Sequence, residues 1–278
     1  MIKIEAATLT DPGKERRMNE DRAWAQVFEA SEGAPMGLFI VCDGMGGHMG
    51  GEVASHWAVE AIKHDLAELF CLKDPRATVR LSEAEINSVV EGSEMTRMSF
   101  GSKMENQVRQ AIMKANKVVR DYAERRPERA AEAGTTVTMA VVFGRRAVIA
   151  NVGDSRTYLL RDHVLRQITQ DHSLVASLVA GGQIKPEDVF SHPQRNMIFR
   201  SLGQKSKVQI DTFWEVLQPG DYLLLCSDGL WEMVRDEAVM ARLIDEAPTI
   251  EKACRRLVDA ANTAGGEDNI SVVIAKIT

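Results

Sequence analysis

An α+β fold built on antiparallel sheets is what this sequence predicts, and three features of its patterning point there. Short β-like runs follow one another with only turn residues between them, which favours antiparallel pairing over a doubly wound alternation of strand and helix. Stretches with apolar residues at helical spacing separate these groups of strands. No repeat, linker or low-complexity tract interrupts the 278 residues, so one domain spanning 1–278 is expected.

In chain order, the first strands are expected at Ile2–Thr10, Arg22–Phe28 and Leu38–Cys42. After a glycine run, Val53, Trp57, Ala61, Ile62, Leu66 and Leu69 fall on one helical stripe. A second stripe joins Val108, Ile112, Ala115, Val119 and Tyr122. Residues 71–104 between them are polar, carry Gly92 and Gly101, and show only a weak helical pattern near Glu83–Val90. They read as an insertion. Strands resume at Thr135–Phe143, Ala147–Val152 and Ser155–Leu160, with Gly144-Arg145 as a hairpin turn. Asp171–Ala180 and the stretch after Pro186 read as short helices, and Val208–Glu215 and Tyr222–Ser227 as strands. Helices around Glu237–Glu246 and Ile250–Asn262 precede a last strand, Asn269–Ile277.

Composition narrows the function classes. Hydrophobic residues make up 45% of the chain, enough for a substantial core. Lys and Arg number 34 against 40 Asp and Glu, and a net charge of −6 argues against a nucleic-acid footprint or a polybasic membrane patch. Cys42, Cys71, Cys226 and Cys254 are too scattered for a disulfide scaffold and lack zinc-site spacing. Cys42 and Cys226 close apolar runs, which predicts buried free thiols and a reducing compartment. With no basic-then-apolar leader and no apolar run near about 20 residues, a cytoplasmic location is expected.

The acidic residues carry the functional signal. Asp43 follows LFIVC, Asp228 follows YLLLCS, and Asp154 follows VIANVG. Glu20-Asp21 immediately precedes one predicted strand and Asp268 another. An Asp-Gly after a strand is, alone, an ordinary turn. Recurrence changes the reading, because strand ends in packed sheets lie close together. Glu20, Asp21, Asp43, Asp228 and Asp268 would then gather five negative charges, which stay ionised only with compensation. Either several take up protons or cations fill the gap. Two divalent ions nearly balance the group, and oxygen-only ligation selects Mg²⁺ or Mn²⁺. Such a pair makes a hydrolytic centre in which a shared water, deprotonated, attacks a phosphate ester. Arg16 and Arg17 lie close enough in sequence to clamp the phosphate.

Six ordered motifs then converge on one resemblance: R-x-x-N-E-D at 16–21, C-D-G-M-G-G at 42–47, A-G-T-T at 133–136, V-G-D-S-R at 152–156, C-S-D-G-L-W at 226–231 and G-x-D-N-I-S at 266–271. Together they resemble the metal-dependent protein phosphatase family, the type 2C Ser/Thr phosphatases, in bacterial form. The resemblance implies a β-sandwich of two antiparallel sheets flanked by helices, with metals in a cleft at one end. It implies that Asp43 bridges two Mn²⁺ or Mg²⁺ ions, that Asp228 and Asp268 complete one site, and that the Gly44 carbonyl with Glu20 or Asp21 completes the other. Asp154 matches a ligand of a third, weaker ion, and Arg16 the arginine that binds substrate phosphate. His172–Gly203 corresponds to a flap beside the site, in which Arg195 and Arg200 are candidate substrate contacts. The partners expected are phosphorylated proteins and a cognate Ser/Thr kinase, with no nucleic acid and no membrane, and a monomer is expected.

This sequence departs from the family pattern at Met45, where some members carry a histidine proposed as general acid, and at Glu232, a longer acid near the third ion. His48 reads as an ordinary loop histidine. Two rivals are weaker. GMGGHMGG lacks the lysine of a nucleotide-binding P-loop and does not fit G-x-G-x-x-G, since Met49 stands where the last glycine belongs. An inactive phosphatase-like scaffold would not retain every expected metal-bridging acid.

Overall fold

The computed structural model describes residues 2–28, 35–46, 50–70, 94–130 and 133–278. Two five-stranded antiparallel sheets face each other. One orders its strands β1 (Ile4–Asp11), β12 (Ile270–Ile277), β11 (Tyr222–Cys226), β8 (Arg156–Arg161) and β9 (Val164–Gln167). The other runs β10 (Asp211–Val216), β7 (Arg146–Val152), β6 (Val137–Phe143), β3 (Met36–Cys42) and β2 (Arg22–Phe28). A short pair, β4 (Gly44–Met45) with β5 (Gly134–Thr135), sits at one end.

The central strands are apolar along their whole length because both faces are covered. In β3, Phe39 and Val41 enter the layer between the sheets, meeting Leu223, Leu225, Val273 and Ala275. Leu38, Ile40 and Cys42 point the other way, toward α1 (Gly50–Phe70) and α2 (Glu94–Arg125). On the far side, Leu224, Cys226, Val272 and Ile274 pack under α6 (Glu237–Asp245) and α7 (Ile250–Ala264). Three short elements complete the helices: α3 (Pro127–Ala130), α4 (Leu174–Ala180) and α5 (Asp228–Trp231), with a 3₁₀ turn at Pro186–Ser191. The sandwich with flanking helices is the predicted class.

Differences from the sequence reading have local causes. The strand expected from Thr135 is split at Thr136, whose backbone N–H donates to the Asp43 carbonyl at 2.9 Å. The strand expected from Val208 starts at Asp211, because Arg109 takes the Ile210 carbonyl. The helix expected from Asp171 starts at Leu174, capped by Ser173, while Asp171 pairs with Arg156. Strand β9 was missed; Asp162 and His163, with φ of 51° and 66°, form a tight left-handed turn that pairs Arg161 with Val164. Within the stretch expected to be an insertion, residues 94–104 are helical and belong to α2. Residues 71–93, with the pattern near Glu83–Val90, lie outside the described residues. Cys42, Cys226 and Cys254 are buried free thiols, while Cys71 lies outside the described residues. No described helix is long and apolar enough to cross a membrane.

Candidate active site

Strand register brings the acids to one end of the sandwich. Arg22 at the start of β2 pairs with Cys42 at the end of β3, which sets Asp21 beside Asp43. In the other sheet, Cys226 at the end of β11 pairs with Val272 and with Arg156, so Asp228, Asp268 and Asp154 leave their strands at the same end. Val137 opposite Val152 joins β6 and the Asp154 turn to this edge.

Backbone and hydroxyl groups then fix the carboxylates. The Asp43 N–H donates to Thr136 Oγ1 at 3.0 Å, and its carbonyl also accepts from Thr135 Oγ1 at 2.8 Å. Thr136 Oγ1 in turn bonds Ser155 Oγ across the sheets at 2.7 Å. Asp21 is fully buried, and its Oδ2 accepts from Ser227 Oγ at 2.7 Å, itself held by the Ser271 N–H. Asp268 accepts from Arg16 Nη2 at 2.7 Å. The Asp154 carbonyl is held by Trp231 Nε1 at 3.1 Å. Gly44 must be glycine: a Cβ there would lie 2.2 Å from the Gly51 carbonyl oxygen and 2.4 Å from that of Glu20. That contact seats the N-terminus of α1 against both the Gly44 loop and Glu20.

The electrostatics of this cluster favour neutralisation. Burial, then Asp228 and its neighbours, pushes Asp43 well above the ordinary carboxylate range. Asp21 and Asp154 are raised in the same direction, by burial first and by Asp228 among the nearby charges. Asp228 is pushed up to about 7 by burial, Asp268 and Glu232. Glu20 is also raised by burial, against the pull of Arg16. Asp228 therefore stands at the hub of the mutual repulsion.

These residues suit hard divalent cations. Asp21 Oδ1 and Asp228 Oδ1 are buried without a hydrogen-bond partner, and a buried anionic oxygen needs a donor or a cation. Among the described residues, no three acidic, histidine or cysteine side chains close up tightly enough to enclose an ion by themselves. The donors on hand are carboxylates and a backbone carbonyl, not thiolate or imidazole.

Comparison with known proteins decides the family. The family model of protein phosphatase 2C matches residues 15–261. The serine/threonine phosphatase stp of Listeria monocytogenes is 39% identical over 273 residues, 98% of this chain and 96% of that protein. This chain belongs to the protein phosphatase 2C family. Among solved structures, the S. agalactiae serine/threonine phosphatase superposes with a TM-score of 0.78 at 31% identity, covering 99% of both chains. The catalytic domain of PstP, in complex with 2 manganese ions, gives a TM-score of 0.76 at 29% identity, covering 100% of both. The chain is accordingly a metal-dependent serine/threonine protein phosphatase.

Within this type 2C phosphatase Arg195 and Arg200, the two expected substrate contacts, have different surroundings. Arg195, 39% exposed, lies 3.7 Å from Glu232 and 3.8 Å from Glu267. Arg200 is committed inward, with Nη1 donating to Asp211 Oδ1 at 2.8 Å. His172 accepts the Gly153 N–H on Nδ1 at 3.0 Å, which leaves its remaining proton for Asp211. Burial holds His172 below its usual range. His48 lies outside the described residues.

Sequence reasoning missed two residues. Arg156 forms a bidentate pair with Asp171 and lies over the Trp231 ring at 3.5 Å, bracing the Asp154 turn. Asn269 is the more consequential. Its Oδ1 accepts the Glu20 N–H at 2.8 Å, and its Nδ2 donates to the carbonyls of Pro12 and Met18, both at 2.9 Å. One amide thus pins the loop that carries Arg16, Glu20 and Asp21. Asn-Ile-Ser after an acid was visible as a motif, but nothing local announced partners some 250 residues away. Asn269→Ala should weaken Mn²⁺ binding about ten-fold by titration calorimetry, the usual scale for a residue that orients ligands. Unchanged affinity would show that the loop holds itself.

Proposed function

We propose that this phosphatase removes phosphate from phosphoserine and phosphothreonine on proteins through a two-ion centre. In this reading Asp43, Asp228 and Asp268, with the Gly44 carbonyl and Glu20 or Asp21, would hold two ions, and Asp154 would serve a third. The observation that carries the reading is the convergence of buried, mutually repelling carboxylates, two with unpartnered oxygens, on one sandwich end. When bound, Mn²⁺ or Mg²⁺ supplies the Lewis acidity that lets water attack phosphorus at neutral pH.

The protein's own groups do the rest. Asp268 holds Arg16 by one nitrogen, while the guanidinium stays 53% exposed at the side-chain level and turns donors to solvent. Its charge is reinforced by Asp268. That geometry suits capture of a phosphate oxygen. Met45 has no proton to give, so the departing alkoxide takes one from water. Arg195 stands at the flap as a further contact, whereas Arg200 would act by holding the flap to Asp211. The cognate kinase is the enzyme class that makes these phosphoesters. Buried free thiols at Cys42, Cys226 and Cys254 support a cytoplasmic setting.

Mn²⁺-dependent hydrolysis of p-nitrophenyl phosphate and of a phosphothreonine peptide, both abolished by EDTA, tests the reading. Absence of turnover in Mn²⁺ would end it. Arg16→Ala should raise KM for the phosphopeptide about ten-fold with a smaller effect on kcat. A large kcat loss at constant KM would instead place Arg16 in the transition state alone.

A further inference from the structure

We infer that a cationic groove beside the flap selects substrates with an anionic residue flanking the scissile phosphate, an inference that rests on the phosphatase reading above. The groove, of about 370 Å³, is lined by Phe199, Arg200, Lys205, Lys207 and Val208 together with small polar residues. Among the described residues no carboxylate lines it, in a chain of net charge −6. Arg200 is neutralised by Asp211. Lys205 and Lys207 are exposed, and among the described residues neither has an acidic partner. By contrast, two lysines of the facing helix α2 are spent locally: Lys114 pairs with Asp65 and Lys117 with Asp121.

The groove connects to the catalytic edge. Leu202 exchanges backbone hydrogen bonds with Thr135, at 2.8 and 3.1 Å, and Thr135 bonds the Asp43 carbonyl. Gln204 lines both this groove and the adjoining hollow that contains Met45 and Gly46. The Lys205 carbonyl is pinned by Asn116 of α2, which also accepts the Gly203 N–H, so the loop is fixed relative to the body. Lys205 and Lys207 lie three and five residues beyond Leu202, hence at most about 11 and 18 Å from it. An extended peptide spans that reach in about three to five residues. Phe199 and Val208 offer apolar contact for its backbone and stems. Two uncompensated ammonium groups at that range recognise carboxylates or a second phosphate through charge, without a bidentate geometry.

The test measures kcat/KM on phosphothreonine peptides carrying Glu, phosphoserine, Ala or Lys at successive flanking positions. The best anionic placement should exceed its alanine counterpart about five-fold or more, and the advantage should shrink at high salt. The doubly charge-reversed variant Lys205→Glu/Lys207→Glu should lose that selectivity ratio. A second phosphate outranking glutamate would assign the groove to phosphate, and equality to carboxylates as well; either upholds it. A flat profile in the wild type with good turnover, or a ratio unaltered by charge reversal, overturns the groove while leaving the phosphatase reading intact. Absence of all hydrolysis in Mn²⁺ overturns both.

Discussion

Asp43→Asn should lower kcat on phosphopeptides by about 10²–10³-fold at saturating Mn²⁺, the scale seen when a group that stabilises transition-state charge is removed. The substitution keeps size and shape. The bonds that hold position 43 use its backbone N–H and carbonyl, to Thr136 and Thr135, so they survive the change. What is lost is one negative charge among Asp228, Asp21 and Asp154, the groups that raise Asp43. KM should move little, because Arg16 is untouched. Steady-state kinetics with phosphopeptide, beside a melting curve of the same preparation, separate the two effects. Near-normal turnover would remove Asp43 from its assigned place, and a collapsed melting temperature would show that the charge had a structural role.

Asp228→Asn should make the metal-free protein more stable, not less, at alkaline pH. Burial, Asp268 and Glu232 raise the folded-state value of Asp228 from 3.8 to about 7. Between those values the folded chain holds a proton that the unfolded chain has released. Stability of the EDTA-treated wild type should therefore fall as pH rises from about 4 to about 7, and stay low above that. Asparagine never ionises and escapes this loss. A shift of about three pH units sets a ceiling on the order of 4 kcal/mol, and sharing of protons with Asp43 should bring the gain nearer about 2 kcal/mol. In Mn²⁺ the order should reverse, since the wild type gains binding energy that the variant lacks. Urea unfolding in EDTA at pH 5 and pH 8, repeated with Mn²⁺, provides the comparison. A variant less stable than wild type in EDTA at pH 8 would show that Asp228 is not strained by its neighbours.

Much of the fold was legible because central strands buried on both faces become unbroken apolar runs, as in LFIVC before Asp43 and YLLLC before Asp228. Helices α1 and α2 were equally plain from their stripes. Boundaries were not. Where a backbone group finds a partner outside its own ladder, as Thr136 does with Asp43 and Ile210 with Arg109, propensity carries no trace of the exchange. Strand β9 was hidden for a related reason, since Val-Leu-Arg-Gln is too short to show a period and depends on the Asp162-His163 turn.

For the site, the sequence alone determined which acids stand at strand ends and, through six ordered motifs, the family to which they belong. Those are local properties: an apolar run, a turn and the residue type at the joint. Tertiary structure decided what each acid meets. Asp21 vanishes into the interior against Ser227, Asp268 stays open to Arg16, and Asn269 ties the N-terminal loop to the last strand. It also decided that Lys205 and Lys207 stay exposed beside Phe199 and Arg200, among the described residues without acidic partners. Burial and long-range charge depend on segments brought together by sheet register, and register is a property of the whole sandwich, not of any one run of residues.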